Sequence, residues 1–300
     1  MIIFVQYLKD YFRTISLLKL LLTVLFTAVL IFINYKWGIE DPIKAIGHWQ
    51  ISLFVFFIFY VFVFGIAYLI QLLVAPAQTI NDRNIFISYF FLAAFLFALK
   101  IIHWQLPGIN HHSVWGRYGS IVLQLPLKLL LFLIVLFLIS KTEPQPNYFY
   151  GLSRRFKVRP YIHILLCLVP LIALAATRPD FQLAYPKLKM VQFIDQSVQP
   201  VWPWKLIYEI SYGLDFVSIE LFFRGFLVIG MIRFAGINCI LPMAAFYCTI
   251  HFGKPVGECI SSFFGGLALG VIAYRTRSIL GGLMVHLGIA WLMEAAGSLI

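Results

Sequence analysis

The sequence predicts an all-α fold, a polytopic transmembrane helical bundle of eight to nine spans, and three observations predict it. Of its 300 residues, 62% are hydrophobic and only 12% charged, too few charges to cover the surface of a soluble domain. The mean hydropathy is +0.91. Apolar stretches near the ~20 residues that a bilayer core demands recur along the whole chain.

The predicted spans are 17–35, 51–74, 85–103, 120–140 and 160–177. After a polar, proline-containing stretch come 204–232, 238–252, 257–274 and 279–298. The count is eight if the first segment lies in the interface. Spans seven and eight are short and separated only by Phe252-Gly253-Lys254-Pro255-Val256, so they form a tight hairpin. The 30 Phe suit lipid-facing surfaces, and the 15 Tyr and 7 Trp suit the membrane–water interfaces. The first twenty residues carry no small-residue cleavage pattern and read as part of the mature chain.

A net charge of +11 would suggest nucleic acid in a soluble protein; here the basic residues flank spans and face anionic lipid headgroups, and no nucleic-acid partner is expected. The densest basic cluster, Lys141, Arg154, Arg155, Lys157 and Arg159, lies between spans four and five. Placing that loop in the cytoplasm puts the N-terminus there too, with Lys9, Arg13 and Lys19 in agreement. The expected location is a bacterial cytoplasmic membrane, with the N-terminus cytoplasmic. The four cysteines have no metal spacing and read as reduced packing residues.

The segment 178–203 divides the chain. Before it the spans are almost free of acidic residues; after it Glu209, Asp215, Glu220, Glu258 and Glu294 lie in or beside spans. The predicted organisation is a scaffold over 1–177, a connecting loop over 178–203 and a functional core over 204–300. No internal repeat supports a two-fold transporter.

Glu220 falls near the middle of its span, where a carboxylate costs about 3 kcal/mol even on a lenient insertion scale. Arg224, four residues on, shares its face of an α-helix, so an intrahelical ion pair is the plainest account. His251 closes span seven and His286 lies early in span nine. Two histidines on separate helices and a buried carboxylate make a more specific set than any one of them. Ser262, Gly266 and Gly270 form a small-residue stripe, and Gly281, Gly282 and Gly288 flank His286, as close helix packing requires.

SIELFFRGFL (218–227), AFYCTIHFGKP (245–255) and GGLMVHLGIA (281–290) occur in that order. Together they resemble the CPBP family, also called the Abi or type II CAAX prenyl protease family, over about 204–298. The resemblance implies an intramembrane endopeptidase using a water activated by glutamate and histidine, without metal or other cofactor. It implies catalytic roles for Glu220, Arg224, His251 and His286, and a membrane protein or lipidated peptide as substrate. Three positions depart from the family pattern: Ile219 replaces the first glutamate, Tyr247 a phenylalanine and Ala290 an asparagine. Two candidates could replace the missing glutamate: Glu220, if packing rotates its helix, or Glu258, seven residues after His251, whose plainer role is to complement the dipole at a helix N-terminus. A catalytically impaired membrane scaffold or immunity protein is the alternative. A proton-coupled carrier and a zinc site of Glu220, His251 and His286 are weaker readings.

Overall fold

A computed structural model describes residues 2–74, 80, 82–142, 149–152 and 156–299. Arg154 and Arg155, which enter the orientation argument, lie outside these described residues. The helices are α1 (Ile2–Thr14), α2 (Leu17–Trp37), α3 (Glu40–Lys44), α4 (Trp49–Val74), α5 (Arg83–Ile101) and α6 (Val114–Thr142). They continue as α7 (Val158–Ala176), α8 (Pro179–Ala184), α9 (Trp202–Glu220), α10 (Ile232–Ala235), α11 (Ile240–Thr249), α12 (Val256–Thr276) and α13 (Leu280–Ser298). Among the described residues there is no strand.

Eight helical stretches among the described residues are long and apolar enough to cross a membrane. The chain is therefore a multi-pass α-helical membrane protein. The predicted sixth and seventh spans fall inside one 48-residue stretch, Trp202–Thr249. No polar loop parts them. Between them lie only the one-turn α10 and a 3-10 turn over Gly236–Cys239. Two features went unpredicted: α1 precedes the first span, and the segment 178–203 holds α8 and a 3-10 helix over Lys187–Ile194.

The chain divides into two compact units, each drawing on segments before and after residue 178. One comprises 1–103, 150–153 and 223–279. In it α11 and α12 form the expected hairpin, and α2 and α4 pack on α11. Tyr60 and Phe64 of α4, Phe97 of α5 and Phe223 all meet the ring of Phe246, with centroids 4.8–5.5 Å apart. Such ring pairs add about 0.5–1.5 kcal/mol each beyond area burial. Lys19 of α2 donates to Asn238 Oδ1 at 3.1 Å, giving a buried ammonium a polar partner.

The small-residue stripe of α12 serves this hairpin. A Cβ on Gly266 would stand 2.8 Å from Tyr247 Cδ1, so the missing side chain is what seats that ring. The cysteines form no disulfide; Cys239, Cys248 and Cys259 are buried, as packing residues should be, whereas Cys167 is exposed.

The second unit comprises 104–149, 154–222 and 280–300. Here α6 packs on α9, and α13 packs on both α7 and α9. Ser211 of α9 donates to the Val122 carbonyl of α6 at 2.5 Å, and Tyr118 to that of Trp204 at 2.7 Å. Glu294 of α13 accepts the backbone N–H groups of Lys187 at 2.7 Å and Leu188 at 3.0 Å. It satisfies donors at the start of a helix, which otherwise have no backbone partner. This acidic residue of the C-terminal third therefore has a clear anchoring role.

Candidate functional site

Glu220 ends α9, and its side chain is wholly buried. Its Oε1 lies 3.0 Å from Nδ1 of His286 on α13. A carboxylate accepts, so Nδ1 carries the hydrogen, and in the neutral form of the ring Nε2 is the acceptor nitrogen. The Phe216 ring, one turn before Glu220, stands edge-on to the imidazole at 4.7 Å. His286 keeps 13% of its side chain exposed while Glu220 keeps none. The histidine is the member of the pair that reaches outward, and the carboxylate stands behind it.

Two adjacent glycines on α13 permit this. A Cβ on Gly282 would lie 2.8 Å from Glu220 Oε2, and one on Gly281 would fall 1.9 Å from the Tyr161 ring of α7. Gly282 thus admits the carboxylate and Gly281 admits α7. The Gly-Gly dipeptide four residues before His286 was the sequence signal for this arrangement.

At Leu221 the winding changes from α to π and stays so to Gly230. The π form is rare and concentrates at functional positions. Arg224 lies within it, fully buried, with its guanidinium 4.2 Å from the centroid of Tyr247. Tyr247 also touches the ring of Phe223 at 5.0 Å and that of His251 at 4.8 Å. His251 Nδ1 donates to the Tyr247 carbonyl at 3.1 Å, so Nε2 is again the basic nitrogen. One tyrosine therefore organises both the arginine and the histidine. Its ring is what the family's phenylalanine would also offer, so this departure is mild.

Glu220 and His286 belong to one unit, and Arg224, His251 and Glu258 to the other. Glu258 occupies the first turn of α12, with Oε1 3.7 Å from Lys254 Nζ. Ile219 and Ala290 are both buried, at 6% and 4% exposure, as apolar members of the packing.

The supports of the His251 turn were not legible from the motifs. Asn34 Nδ2 of α2 donates to the Phe252 carbonyl at 3.0 Å, and the Tyr35 hydroxyl to that of Lys254 at 2.5 Å. A Cβ on Gly253 would meet Glu40 Oε2 at 3.3 Å. Polar residues at the end of an otherwise apolar span were the only available hint.

These features define a multi-pass helical membrane protein with a carboxylate–imidazole pair inside its spans. Residues 204–292 match the family model described as type II CAAX prenyl endopeptidase Rce1-like, which bears out the motif resemblance over that stretch. No curated protein and no solved structure matches the chain.

Proposed function

We propose that this protein is an intramembrane endopeptidase whose chemistry is carried by the Glu220–His286 pair. The observation that carries the reading is the 3.0 Å contact between Glu220 Oε1 and His286 Nδ1, part-buried within a stretch that matches an endopeptidase family model. Glu220 fixes the tautomer and stabilises the imidazolium, so His286 Nε2 takes a proton from water. The resulting hydroxide forms the new C–O bond at the scissile carbonyl carbon. As the C–N bond breaks, the imidazolium returns its proton to the leaving amine. A carboxylate behind a histidine has this effect in other hydrolases. His251, with its Nδ1–H committed to Tyr247, is the second candidate base. Arg224 holds positive charge in the bilayer without lipid contact. The substrate class in this reading is a membrane protein or a lipidated peptide, and the reaction calls for no cofactor.

The test is cleavage of a prenylated CAAX-type peptide by the purified full chain in bilayers. His286→Ala is expected to lower kcat about 10²–10⁴-fold, and Glu220→Gln at least ~10²-fold. Wild-type protein that cleaves neither this peptide nor a membrane-spanning one overturns the reading.

A second reading keeps the fold without the catalysis, as a membrane scaffold or immunity protein. The buried Ile219 and Ala290, where the resembling family has glutamate and asparagine, favour it. Ile219→Glu decides between them: proteolysis gained only in the variant supports the scaffold.

A further inference from the structure

A groove of about 550 Å³ runs between α2 and α12, within one unit. Val24, Thr27, Ala28 and Ile31 form its α2 wall, and Ile260 and Phe264 part of its α12 wall. Both sets follow a helical i, i+3/i+4 spacing, so each helix presents one continuous stripe. From Val24 to Tyr35 the stripe is about 16 Å long. That is about half the ~30 Å hydrocarbon core, the depth of a single leaflet.

The polar end of the groove is equally specific. Lys36 lies there, its Nζ 5.4 Å from the Phe32 centroid and 4.8 Å from that of Trp37. Trp37 and Trp49 are both exposed at the ends of their spans, marking the level of the headgroups. Lys44 pairs with Glu40, and Lys254 with Glu258. Lys36 has no carboxylate partner among the described residues. A basic residue at the mouth of an apolar groove between spans attracts an anionic headgroup by about 1 kcal/mol.

We infer that the groove between α2 and α12 is a phospholipid site that holds one acyl chain against Ala28 and places an anionic headgroup on Lys36. The inference does not rest on the proposed endopeptidase activity. The groove supplies van der Waals contact for a chain of any lipid, so selectivity comes from the ammonium.

The experiment uses the full chain purified in detergent and offered equal amounts of phosphatidylglycerol and phosphatidylcholine, with retained lipid counted by native mass spectrometry. Wild type is expected to retain phosphatidylglycerol preferentially. Lys36→Gln should weaken that preference about fivefold, and Lys36→Arg should keep it. Ala28→Trp, which fills the groove, should lose the retained lipid of both classes. Equal retention of the two lipids by wild type, or an unchanged preference in Lys36→Gln, overturns the inference. So does a co-purifying polypeptide in place of lipid. Lys36 is exposed, so these two variants decide the matter even if Ala28→Trp does not fold.

Discussion

Gly282 leaves the space that Glu220 fills, since a Cβ there would stand 2.8 Å from Oε2 of the carboxylate. Gly282→Ala is therefore expected to push Glu220 off His286. Overpacking of this kind costs about 1–3 kcal/mol. Thermal unfolding in bicelles should show that loss, and the proposed peptidase activity should fall further than the lost stability explains. Retained activity would show that the carboxylate's position does not matter.

Glu220 and His286 should be energetically coupled. Replacing His286 by alanine leaves a buried carboxylate without its imidazole, a costly state inside a span. In a double-mutant cycle with Glu220→Gln, the coupling is expected at about 1–3 kcal/mol. Strict additivity would reduce the 3.0 Å contact to coincidence.

Tyr247 presents its ring to Arg224, and the ring matters more than the hydroxyl. A desolvated cation–π contact is worth about 2 kcal/mol. Tyr247→Leu should cost roughly that much in unfolding experiments, while Tyr247→Phe should be nearly neutral. Equal losses in both variants would move the explanation to the hydroxyl.

Glu294 holds the 3-10 helix 187–194 through two backbone N–H groups. Charged hydrogen bonds of this kind contribute about 1.5–3 kcal/mol. Glu294→Gln should raise hydrogen exchange across residues 187–194 while leaving α11 and α12 protected. A change spread evenly over the chain would contradict a local anchor.

Much of this was readable in the sequence. Hydropathy located the spans, and the short Phe252–Val256 connection announced the α11–α12 hairpin, because a five-residue link leaves few geometries. The order of Glu220, Arg224, His251 and His286 pointed to the resembling family. The π winding at 221–230 was not legible, because apolar residues at this spacing suit α and π forms alike. The contact of Glu220 with His286 was equally hidden, because it joins side chains 66 residues apart. The division of roles within that pair needed burial, which no motif encodes.

The hydrogen bonds from Asn34 and Tyr35 to the Phe252 and Lys254 carbonyls carry one more consequence. The stretch that matches the family begins at residue 204, yet its histidine-bearing turn is held by side chains some 218 positions earlier. The matched stretch and the set of residues that support it therefore do not coincide. A fragment trimmed to 204–292 would keep His251 and lose the two side chains that hold its turn.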